Sequence, residues 1–221
     1  MGISQVGGNI AQETTGATSL AVTYSPTAGN CAVLFFITGG TSSGLTVQDN
    51  LSNTLTAGPT ATLPSQGTGS GIPTLASFYQ FPVPAGVTSY TANWTTARQA
   101  SLVVEEYTNV VAVNASLSGN SAAGTGTTVS ITVTTLLNNA WIVGGLADDN
   151  SQTPTGTVGN QRQQTTTPTG RIVLVDNTVV LVGSVTCTAT VGSSSPWGAV
   201  ALQLQAGGGG ILELALLGCG L

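Results

Sequence analysis

Apolar residues recur at every second position along this chain, in short runs. "SLAVTY" sets Leu20, Val22 and Tyr24 on one side of an extended backbone. "SYTANWT" repeats the pattern with Tyr90, Ala92 and Trp94, leaving Thr91 and Asn93 on the other side. "TTVSITVTT" alternates Val129, Ile131 and Val133 with Ser and Thr. A period of two marks a strand with one buried face. "CAVLFFIT", opening at Cys31, is apolar on both faces and predicts a central strand. "LASFYQF", "ASLVVEEY", "AWIVGGLA", "RIVLV" with "TVVLVGSVTCTAT", and "WGAVALQLQ" extend the set. "SPTAGN", "DNLSN", "PSQGTGSGIP", "VPAGVT", "SGNSAAGTG" and "GSSSP" carry turn residues between them. No window has a helical period of useful length.

The pattern predicts one all-β domain over residues 1–206, an antiparallel β-sandwich or jelly roll of about ten strands. Val22, Val33, Phe35, Val104, Ile131, Val133, Ile142, Val200 and Leu202 are its expected core. The stretch from Asp148 to Gly170 reads as a long exposed loop. Residues 207–221, "GGGGILELALLGCGL", read as a glycine tether and an apolar tail. In that tail Ile211, Leu212, Leu214, Leu216 and Leu217 are the expected assembly contacts. Extended, it sets Leu212, Leu214 and Leu216 on one face, suited to a neighbour's sheet edge or groove.

Charge changes the picture more than any motif. Only 5% of the residues are charged, against about 25% in an average domain. There are 8 acids and 3 basic residues, with no His; the basic ones are Arg98, Arg162 and Arg171. Nucleic-acid binding needs clustered Lys and Arg, so that partner is excluded. A surface with little charge favours association. "MGISQVGGNIAQ" lacks the basic and apolar regions of a secretion signal, and no run is long enough for a membrane span. The three cysteines make no disulfide framework. Cys31 and Cys187 read as small buried hydrophobes, with a bridge between them left open.

"LTVQDNLSNTLTAG", "SFYQFPVPAGVTSYTANWTT", "ASLVVEEYTNV", "AWIVGGLA" and "SPWGAVALQLQ" follow one another in a cadence over roughly residues 5–205. This cadence resembles a recurring β-sandwich domain of bacterial surface proteins and phage virion proteins. The resemblance implies a structural or adhesive role and brings no active-site residues with it.

Catalytic constellations are scarce. Without His or Lys, Ser-His-Asp, Cys-His and Ser-Lys arrangements cannot form. Adjacent Glu105 and Glu106 point to opposite faces of a strand, so they do not make a glycosidase pair; both reach solvent or one meets an Arg. No enzyme activity is expected, and no cofactor beyond calcium. Asp49, Asp148 and Asp149, helped by Asn50, Asn53 and Asn150, are the candidate oxygen ligands for Ca²⁺, against the plainer reading that loop acids make turns. For carbohydrate, Trp197 and Trp141 are the candidate platforms, against the plainer reading that they plug the sandwich. The function expected is a non-enzymatic structural subunit that assembles with itself or other structural proteins, in a virion or on the cell exterior. The alternative is a carbohydrate-binding or adhesive module of the same fold.

Overall fold

The computed structural model describes residues 2–41, 43–64, 72–135, 137–149, 152–166, 170–179 and 181–207. The apolar tail and its five expected contacts lie outside the described residues. Thirteen strands and no helix are found among those described. They are β1 (Ser4–Thr23), β2 (Cys31–Thr38), β3 (Thr46–Asp49), β4 (Thr56–Thr62), β5 (Thr74–Gln80), β6 (Ser89–Thr108), β7 (Val110–Asn114), β8 (Ser121–Thr134), β9 (Ala140–Asp148), β10 (Thr155–Val158), β11 (Asn160–Gln164), β12 (Arg171–Val179) and β13 (Ser184–Ala206). Among the described residues no helix is long and apolar enough to cross a membrane.

The strands form two antiparallel sheets that pack face to face. The first runs β1-β6-β2-β5-β4, with β3 also on β6. The second runs β10-β13-β9-β12-β11, with β7 and β8 also on β13. Between them lies a core built from alternate residues of both: Val33, Phe35 and Val103 from one side, Val143, Leu174 and Val200 from the other. All nine expected core residues are buried.

Three strands are far longer than the alternation suggests, at 20, 20 and 23 residues for β1, β6 and β13. "SYTANWT" and "ASLVVEEY" belong to one strand, β6. "SVTCTAT" and "WGAVALQLQ" belong to β13, and "GSSSP" is a register shift inside it rather than a turn. β1 stays on β6 throughout, but β6 and β13 each change partner on one side midway. β6 pairs with β3 over Tyr90–Asn93 and with β2 from Ala100 onward. β13 pairs with β10 near Thr188–Thr190 and with β9 from Trp197 onward. The first part of each strand therefore folds over the outer face of its own sheet. Two further apolar cores lie beneath these flaps. One holds Leu34, Phe36, Phe78, Tyr90 and Trp94; the other holds Val129, Ile131, Ile142, Val173 and Cys187.

Residues 148–170 are not one loop. β10 and β11 lie there, joined at Gly159, whose φ is +98°, and each pairs with a different strand, β10 with β13 and β11 with β12. Their Gln- and Thr-rich sequence shows no alternation, because backbone pairing to β13 and β12 holds them rather than a buried face.

The two halves repeat one wiring. The order β1-β6-β2-β5-β4 with β3 on β6 matches β8-β13-β9-β12-β11 with β10 on β13. Registers extend the match to single positions. Glu105–Val33–Tyr79 lie side by side in the first sheet, and Leu202–Val143–Asp176 in the second. Likewise Glu106–Ala32–Gln80 matches Gln203–Ile142–Asn177. The duplication is one of pairing, not of residues. Phe35 has Gly145 as its counterpart, and the two meet at the centre of the molecule. A Cβ on Gly145 would stand 2.5 Å from Phe35 Cγ.

Candidate functional site

Half of the charged residues described are inside. Asp49, Glu105, Glu106, Asp148 and Asp176 are buried, and Glu13, Asp149, Arg98, Arg162 and Arg171 are only partly exposed. Among the described residues no Asp, Glu or Arg is fully exposed. Of the two expectations for Glu105 and Glu106, exposure of both is overturned, while the alternative that one meets an Arg fits Glu105, which lies near Arg162; the two do point to opposite faces.

Glu106 faces outward under the β1–β2 turn. It accepts hydrogen bonds from Tyr24 Oη at 2.7 Å, the Thr27 amide at 2.9 Å and Asn30 Nδ2 at 2.5 Å. Burial works against its charge, but these donors outweigh burial and hold the carboxyl below its usual value. Glu106 is a clamp on the turn.

Glu105 faces the other sheet, where it meets Asp176, Arg162 and Tyr107. Asp176 receives Arg162 through Nε at 2.6 Å and Nη2 at 3.0 Å, Tyr107 Oη at 3.1 Å and Asn160 Nδ2 at 3.2 Å. The Arg162 guanidinium lies 5.8 Å from the centre of the Trp141 ring, and Tyr107 meets that ring edge-on at 5.8 Å. Asp176 raises the pKa of Arg162. Gln5 Nε2 donates to Glu105 Oε1, while Oε2 makes no hydrogen bond and lies against Gly8, where no Cβ fits. Burial pushes the Glu105 carboxyl above its usual value, against the pull of Gln5, Gln163 and Arg162. The fold does not require this cluster. The matching positions at the opposite edge are Leu202 and Tyr79, so the scaffold also closes with apolar groups.

These carboxylates predict opposite responses to pH. Glu106 and Asp49, held low, contribute stability above the ordinary carboxylate pKa of about 4 that is lost as pH falls through their folded values. Glu105, held high, contributes stability below that value, which is lost as pH rises through its folded pKa. Glu105→Gln is expected to abolish that second loss, so the variant gains on the wild type in urea midpoint from acid to neutral pH. Parallel midpoints across the range would show that Glu105 is not held high.

The calcium candidates do not converge. Asp49 accepts four hydrogen bonds, from the Leu51 and Asn53 amides at 2.9 Å, Asn53 Nδ2 at 2.9 Å and Gln80 Nε2 at 2.6 Å. It shapes the turn after β3 in the first half of the chain. Asp148 ends β9 in the other sheet and accepts the Gln152 amide at 2.9 Å, and Asp149 follows it with its amide bound to Pro196 O. No group of three or more His, Cys, Asp or Glu able to hold a metal occurs among the described residues.

Nor do the two tryptophans share a groove. Trp141, at the start of β9, packs against the core between the sheets, with Arg162 over its ring. Trp197 lies on the outer face, opposite Asp148 near the other end of β9. It shares that face with Ala199 and Ala201, as the alternation implies, and covers Gly124, where a Cβ would come within 2.8 Å of its ring. Both are half-buried. Cys31 and Cys187 are free, buried thiols in different cores, and burial pushes both up to about 12.

At one end of the second half, two turns expose apolar side chains. Leu137 is 36% exposed, Leu181 71% and Val182 55%. The turns are joined by Val182 N to Asn138 Oδ1 at 2.7 Å and by Thr135 N to Gly183 O at 2.9 Å. The chain leaves β13 beside them, with Ala206 N on Asn139 O at 3.3 Å and Gly207 N on Asn109 O at 3.0 Å. The alternation predicts a strand run through "TVVLVGSVTCTAT", but the structure ends β12 at Val179, starts β13 at Ser184 and leaves Leu181 and Val182 in the turn between them. No family model, curated protein or solved structure matches the chain.

Proposed function

We propose that the protein is a non-enzymatic structural subunit that assembles with copies of itself. The setting is a virion, as capsid decoration or fibre, or an extracellular appendage. The unit is a jelly-roll-type sandwich, and its C-terminal segment docks on a neighbour. One observation carries this reading: the chain has few charges and half of those described are buried, leaving a surface mainly of hydroxyls, amides and backbone with little repulsion between copies. Buried acids that clamp turns and seam the two sheets fit a rigid building block.

Assembly is expected to depend weakly on ionic strength, since few surface ion pairs exist to be screened. Light scattering from low to high salt checks this; dissociation over that range would contradict it. The role of the tail is tested in the full chain by Leu212→Asp, Leu214→Asp and Leu216→Asp together. Loss of assembly with an unchanged fold supports the reading, and unchanged assembly removes the tail from it. A carbohydrate-binding or adhesive module is the alternative, favoured by the partial exposure of Trp197. Glycan binding that disappears in Trp197→Ala would put it first.

A further inference from the structure

We propose that the paired turns carrying Leu137, Leu181 and Val182 are the surface that receives the apolar segment Ile211–Leu217 of a second copy. The inference rests on the assembly reading above and names its acceptor site.

The internal duplication supplies the argument. In the first half the matching turns are covered. Val83 and Val87, in the β5–β6 turn, are buried, and Glu106 ties the β1–β2 turn down through Tyr24, Thr27 and Asn30. In the second half the β8–β9 and β12–β13 turns are shorter, and Leu137, Leu181 and Val182 in them face water. Gln203 takes the position of Glu106, fully buried, and neither polar atom of its amide is hydrogen-bonded. Three exposed apolar side chains on turns whose counterparts are covered point to a covering segment. Neither turn holds an ionisable residue among those described, and Ile211–Leu217 holds one, Glu213. The chemistry on both sides is therefore apolar.

Direction favours a second copy. β13 runs antiparallel to β9, so its end at Ala206 lies beside Ala140 and the strand heads out past these turns. To cover its own turns the chain must reverse within Gly207–Gly210. To reach a copy abutting this end it continues outward. Val111, 52% exposed, flanks the exit and offers apolar surface to the incoming copy.

Two full-length variants test this. The acceptor variant is Leu181→Asp with Val182→Asp; the donor variant carries the three leucine-to-aspartate changes of the tail. Leu181 and Val182 are exposed, so the acceptor variant should keep the wild-type circular dichroism and melting temperature. Each variant alone is expected to associate at least about tenfold more weakly than wild type. Mixed, they should form one-to-one pairs, because the intact tail of one meets the intact turns of the other; mass photometry reads this directly. An acceptor variant that assembles like wild type overturns the site while leaving the assembly reading intact. A mixture that stays monomeric overturns docking between copies. A donor variant that assembles like wild type overturns this inference and removes the tail from the assembly reading, whereas a wild-type chain that stays monomeric overturns the assembly reading itself.

Discussion

Asp176→Ala is expected to cost about 3–5 kcal/mol in unfolding free energy, the range for removing one partner from a buried ion pair. Asp176 is fully buried and takes four hydrogen bonds at its two oxygens. Its loss strands Tyr107 Oη in the core between the sheets and leaves Arg162 beside Trp141 without its carboxylate. The damage should depend on those orphans. In an Arg162→Met background, Asp176→Ala should therefore cost clearly less, and urea denaturation of the four variants gives the coupling. A single-variant loss below about 1 kcal/mol would mean that the cluster is held by the sheets around it rather than holding them.

Phe35→Ala is expected to cost a similar amount, about 3–5 kcal/mol, because it empties the middle of the main core. Gly145→Ala should cost about 1–3 kcal/mol for the opposite reason, since its methyl is driven into the Phe35 ring. The two should couple. Once Phe35 is Ala, the methyl at 145 enters space already cleared, and its cost should fall close to zero or change sign. Thermal or urea unfolding of the four proteins decides it, and additive losses would show that the backbone at Gly145 matters for another reason. A core that pairs one large and one absent side chain at matching positions cannot be made symmetric without loss, which explains why the duplicated wiring leaves little trace in the residues.

The alternation of apolar and polar residues determined the strand character of the chain, the antiparallel sandwich and the identity of its core. Each of these follows from local periodicity: a residue at an even step from Val129 or Tyr90 shares its face whatever the rest of the fold does. Local pattern also sufficed to put Glu105 and Glu106 on opposite faces and Trp197 with Ala199 and Ala201. Tertiary structure alone decided where strands end and what they meet. β6 and β13 continue through polar stretches because each finds a new partner there, and β10 and β11 exist because β13 and β12 each had an edge free to pair. The fate of the charges was equally illegible. An acid in a strand reads as solvated until the opposite sheet is known, and only sheet packing brings Glu105 to Asp176, Arg162 and Tyr107. For the same reason Asp49, Asp148 and Asp149 look alike in sequence yet are held in different sheets. The exposed turns at Leu137, Leu181 and Val182 gain meaning only beside their covered counterparts in the first half. That comparison needs the registers of both sheets.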